Sequence, residues 1–170
     1  MSGESKKSSQ SLATAVIASN NGTSSVDISN GLNEIRYYES ILSDTRTATL
    51  VYIDSGGSIN GKSTLDGLPI TGGEKVILKI KDLNDKDIVV DNNNALYVNQ
   101  VTPLSENTNN QIVSLELKSK EYFLNNKIRV SKKFTGKISN NIGILLRNYL
   151  ESEKQLHIEE TLDNYNFIEI

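Results

Sequence analysis

Residues 46–82 read RTATLVYIDSGGSINGKSTLDGLPITGGEKVILKIKD, and this stretch decides between two folds. Gly56, Gly61, Lys62 and Ser63 fit the phosphate-loop pattern G-x-x-x-x-G-K-[ST], behind a run, TATLVYIDS, with the composition of a strand. A phosphate loop works only when its backbone amides curl around the anion and the Lys and Ser/Thr then open a helix. The residues after Ser63 do not support one. Gly67, Pro69, Gly72 and Gly73 interrupt any helix within a turn or two, at about 1 kcal/mol for a glycine and about 3 kcal/mol for a proline in a helix interior. A strand, EKVILKIKD, follows in place of a crossover helix. The stretch therefore predicts a flexible Gly/Ser/Asn loop between two antiparallel strands, and the hydrolase becomes the minority reading.

Patterning on either side extends the β reading. In RTATLVYID, Val51 and Ile53 fall on one face and Leu50 and Tyr52 on the other, which predicts a strand buried from both sides. EKVILKIKD alternates, with Val76, Leu78 and Ile80 inward. QIVSLELKS alternates too, with Val113, Leu115 and Leu117 inward and Ser114, Glu116 and Lys118 outward. VDIS and LNEIRYYESIL flank Asn30-Gly31, a dipeptide suited to a type I′ hairpin turn. DIVV and ALYVNQV add further strands around an Asp-Asn-Asn-Asn turn, and Pro103 to Asn110 reads as a polar loop. KISNNIGILLRNYLES carries Ile138, Ile142, Leu145, Leu146, Tyr149 and Leu150 at helical spacing, with Thr135 as the candidate N-cap.

The sum is a mainly β chain: an antiparallel sheet of seven or so strands, closed or nearly closed into a barrel, with one amphipathic helix at about 137–152. Residues 1–25, rich in Ser, Gly and Asn, read as a flexible arm with a short strand at Thr14 to Ala18, and 26–170 as the folded domain.

Composition narrows the chemistry. The 170 residues carry a formal net charge of -3, too weak a field to gather nucleic acid or an anionic membrane, and this favours a protein partner. The absence of cysteine removes disulfides, thiolate nucleophiles and cysteine-ligated zinc. His157 stands alone, unable to build a multi-histidine metal site or an evident triad. Asp82, Asn84, Asp85, Asp87 and Asp91 resemble a calcium loop in composition, but Asp87 occupies the glycine position and no closing Glu follows. No cofactor or metal is expected. ATAVIA is too short for a signal core, and no membrane span is readable, so synthesis in a reducing cytoplasm is expected. The basic stretch KIRVSKKF sets Lys127, Arg129, Lys132 and Lys133 among Tyr122, Phe123 and Phe134, the interleaving of a single-strand nucleic-acid binder or of a strand with one charged face.

Taken in order, IRYYESILSDTRTATLVYIDS, GLPITGGEKVILKI, LYVNQVTP and SLELKSKEYFLNNKIRVSKKFTGKISNNIGILL resemble the N-terminal part of the baseplate hub protein of contractile-tailed bacteriophages, over about Val26 to Phe167. The resemblance implies a tail-tube-like β-barrel in a trimeric hub, two barrels per chain making a pseudo-sixfold ring. That ring joins the tail tube to the central spike and other baseplate proteins. It surrounds the channel through which DNA passes, has no enzymatic activity, and belongs to the virion baseplate assembled in the host bacterial cytoplasm. Family chains carry a second barrel and further domains, whereas this sequence ends on NYNFIEI, so a trimer of longer chains and a hexamer of one-barrel chains both stay open. On this reading Gly56, Gly57, Asn60, Gly61 and Lys62, with the Gly72-Gly73 pair, form a candidate subunit-contact loop.

Overall fold

The computed structural model describes residues 13–57, 59–81, 87–107, 110–161 and, as backbone, 164–168. The chain forms two compact units, Met1–Ser119 and Lys120–Ile170, so residues 26–170 fall across both.

The first unit is an antiparallel sheet of eight strands: β1 (Ala13–Ala18), β2 (Ser25–Asp27), β3 (Leu32–Tyr38), β4 (Thr47–Asp54), β5 (Lys75–Ile80), β6 (Ile88–Val90), β7 (Leu96–Glu106) and β8 (Gln111–Ser119). The order is β2-β1-β5-β7-β8-β4-β3, with β6 also on β5. The mainly β antiparallel class read from the sequence is the class observed. The ladder does not close into a barrel, because β2 and β3 end it on either side without pairing to each other. Ile28 to Gly31, including a 3-10 turn at Ser29–Gly31, joins these two end strands. Ile28 N donates to Ala15 O at 2.9 Å on one flank. On the other, Gly31 lies so near Ile53 that an added Cβ would stand 2.2 Å from its carbonyl oxygen. The sheet is rolled but left open at this seam.

That turn corrects the hairpin expected at Asn30-Gly31. Neither residue adopts positive φ, and β2 pairs with β1 while β3 pairs with β4. The type I′ geometry appears instead at Asn60-Gly61, with φ of 52° and 78°. β4 and β5 are likewise no hairpin, since β7 and β8 lie between them. The loop expected from Pro103 is strand as far as Glu106; β7 accommodates the proline through a register shift between Pro103 and Ser105. The short strand foreseen at Thr14 to Ala18 is β1, paired on both sides.

One face of each strand feeds a single core. Ala15, Ile17, Val76, Leu78, Val98, Val113, Leu115 and Leu117 are buried, as alternation dictates. β4 was expected to be covered on both faces. It buries Ala48, Leu50 and Tyr52, but Ile53 is 43% exposed, so only one face meets the core.

Three helices are present among the described residues, against the one foreseen. α1 (Thr64–Gly67) is a single turn in the first unit, capped by Ser63, whose Oγ accepts from Asp66 N at 3.2 Å. The second unit holds α2 (Lys120–Lys127), α3 (Ile138–Ile144) continued as a π-helix over Leu145–Tyr149, and a two-strand sheet of β9 (Lys133–Lys137) with β10 (Asn164–Ile168). The helix read at 137–152 is therefore shorter and changes pitch. Lys137, not Thr135, stands at its N-cap. The apolar stripe also misplaces its buried side: Ser139 and Asn141 are buried while Ile142 is exposed. Asn141 Nδ2 donates to Thr135 O at 3.1 Å, which satisfies the buried amide. Among the described residues no helix is long and apolar enough to cross a membrane.

Candidate assembly surfaces

The glycine-rich stretch after β4 is folded back on itself. Asp54, buried at the end of β4, accepts hydrogen bonds from Gly56 N at 3.0 Å, from Thr64 Oγ1 at 2.6 Å and from Thr64 N. A side chain of the protein thus takes amides that a phosphate loop would turn toward its anion. Tyr52 Oη and Thr64 Oγ1 lie 2.7 Å apart, extending the network into the core. Burial pushes the Tyr52 phenol up to about 12, the Thr64 hydrogen bond opposing the shift and the nearby Asp54 adding to it.

Beyond Gly56 and Gly57, Ile59 N and Lys62 O are 3.2 Å apart and Lys62 N donates to Ile59 O at 2.9 Å, closing the turn over Asn60 and Gly61. Gly67 lies against Ile59, where an added Cβ would meet the Ile59 Cβ at 2.6 Å. Lys62 is exposed at the end of this turn. Gly72 and Gly73 lie elsewhere, with φ of 119° and 87°. There the buried Glu74 carboxyl accepts from Gly72 N at 2.9 Å, Thr71 N at 2.9 Å and Asn20 Nδ2 at 3.0 Å. The positive φ angles let the chain bend around that carboxyl. The two glycine-rich segments thus have separate structural tasks.

In the second unit Lys127, Arg129, Lys132 and Lys133 are all exposed. Lys132 Nζ sits 6.0 Å from the centre of the Phe134 ring, but Phe134 is buried, so it offers no open platform for a base. Tyr122 and Phe123 pack edge to face with ring centres 5.5 Å apart. Exposed charge is what remains of the nucleic-acid pattern. For the acidic run, Asp87 pairs with Lys79 at 3.7 Å and Asp91 accepts from Asn93 N at 2.9 Å within its turn. Asp82, Asn84 and Asp85 lie outside the described residues. No group of three His, Cys, Asp or Glu suited to a metal occurs among the described residues.

A feature missed in the sequence lies in the loop between β3 and β4. Its stem is held: Arg46 Nη2 donates to Asn94 O at 2.8 Å, and Ser119 N to Arg46 O at 3.1 Å. Its tip is apolar and outside, with Ile41 100% and Leu42 94% exposed. Tyr38 at the end of β3 is 58% exposed beside them. The signal was present as two adjacent aliphatic residues within SILSD, flanked on both sides by polar residues. Smaller apolar exposures occur at Ile88 and Val89 on β6 and at Leu104 on β7.

No protein-family model matches the chain, and no curated protein matches it.

Proposed function

We propose that the chain is a structural subunit of a phage-type contractile tail, a baseplate hub or tube-initiator component that packs with copies of itself into a ring around the DNA channel. The observation that carries the reading is the Ile41-Leu42 tip, two aliphatic side chains in solvent on a loop whose stem is fixed. Two adjacent aliphatic side chains held in solvent suit a contact with another protein. Further apolar exposures on β6 and β7 supply the separate faces that a subunit with several neighbours needs. The sequence resemblance supplies the identity of the assembly: tail tube on one side, central spike on the other, with the virion baseplate as its place. In this role the protein works by packing and performs no chemistry of its own.

Sizing with light scattering tests it, comparing the natural chain with Ile41→Asp/Leu42→Asp. The reading predicts a closed oligomer of three or six copies that the double variant reduces to smaller species while its circular dichroism is unchanged. A monomer in both would overturn it. Oligonucleotide binding that falls steeply with salt and is lost on neutralising Lys127, Arg129, Lys132 and Lys133 would point to a nucleic-acid role instead.

A further inference from the structure

We infer that the β3 edge is a self-complementary docking strand for a second copy of this chain. Among the described residues β3 pairs only with β4, and its other edge has no strand partner there. An open edge offers a row of backbone donors and acceptors to any incoming strand. The side chains of β3 select a partner. Glu34 and Arg36 stand opposite Val51 and Thr49, on the outer face, and already form an ion pair along the strand. Ile35 and Tyr37 stand opposite the buried Leu50 and Ala48 and pack against the core.

Two copies of this strand, run antiparallel about Ile35, place Glu34 of each opposite Arg36 of the other. Both cross-strand positions are then filled by opposite charges, and Ile35 faces its own counterpart. Shifting the strands by two residues removes this reciprocity, so the charges set the register as well as the partner.

Such a contact is isologous and stops at two copies. It therefore goes beyond the ring proposed above and is separable from it, since a polar ring closes through a different, head-to-tail contact.

The test uses the full chain, which contains no cysteine. Ile35→Cys, oxidised in air and run on a non-reducing denaturing gel, should give a two-chain band whatever larger assembly forms. Adding Arg36→Glu should cut the yield of that band by about tenfold, because both cross-strand pairs become repulsive. Adding Glu34→Arg as well should restore it. If Ile35→Cys loses the fold, mixed chains carrying Glu34→Cys and Arg36→Cys, both on the outer face, read the same register through a mixed disulfide. No two-chain band, or a band indifferent to the charge reversals, overturns the pairing. Rings seen by negative stain in those variants leave the hub reading intact while the pairing falls.

Discussion

Asp54 shows how a single side chain redirects a motif. The pattern from Gly56 to Ser63 has the letters of a phosphate loop, yet the amides of Gly56 and Thr64 and the Thr64 hydroxyl all go to the Asp54 carboxyl. Asp54→Ala, losing three hydrogen bonds at a buried site, is expected to cost about 3 kcal/mol in urea unfolding. Tyr52 adds a pH dependence of defined sign. Its folded pKa of about 12 lies above the ordinary 10.0, so burial favours the neutral phenol. Its contribution is full below pH 10 and is lost as pH rises through about 12, by about 2 to 3 kcal/mol. Comparison of Tyr52→Phe with the natural chain across that range should show the natural chain losing stability more steeply; parallel curves would remove the claim. Two glycines separate clash from strain. Gly31→Ala drives a methyl into the Ile53 carbonyl and should cost about 3 kcal/mol. Gly61→Ala meets open space but holds φ at 78°, and should cost about 1 kcal/mol.

At the scale of elements, alternation carried much of the information. β8 buries Val113, Leu115 and Leu117 as its period of two assigns, and β5 buries Val76 and Leu78 but leaves Ile80 half-buried near its end. β4 misled because Val51 and Ile53 are as apolar as the residues beneath them, and composition cannot tell a covered face from one left in water. α2 escaped notice because its run, KEYFLNNK, buries no residue and shows no apolar stripe. The stripe on α3 was legible but pointed the wrong way, since Asn141 is buried by its hydrogen bond to Thr135. Asn30-Gly31 and Asn60-Gly61 look alike in sequence, and tertiary contacts decide between them: Gly31 is pressed against β4, while Gly61 is free to turn. The β3–β4 loop gives the sharpest element-scale prediction. Ile41→Ser with Leu42→Ser should change the unfolding midpoint little, within about 0.5 kcal/mol, because neither side chain packs on anything. A large loss of stability in the isolated chain would mean that the tip is covered within it.

For the molecule as a whole, the sheet class was readable, whereas the seam between β2 and β3 was not. Closure depends on whether four residues, Ile28 to Gly31, form a hairpin turn or a corner, and both are compatible with the same letters. The candidate subunit-contact loop of Gly56 to Lys62 was read as flexible; Ile59 to Lys62 form a closed turn whose Asn60, Gly61 and Lys62 stay exposed, and Ile41 and Leu42 add a further exposed surface. The assembly claim rests on that surface and on the resemblance to tail hubs. Its most direct test is negative-stain imaging with symmetry analysis of the purified full chain, over concentrations spanning two decades. The account predicts rings with a central hole and threefold or sixfold symmetry; particles the size of one chain at every concentration would contradict it.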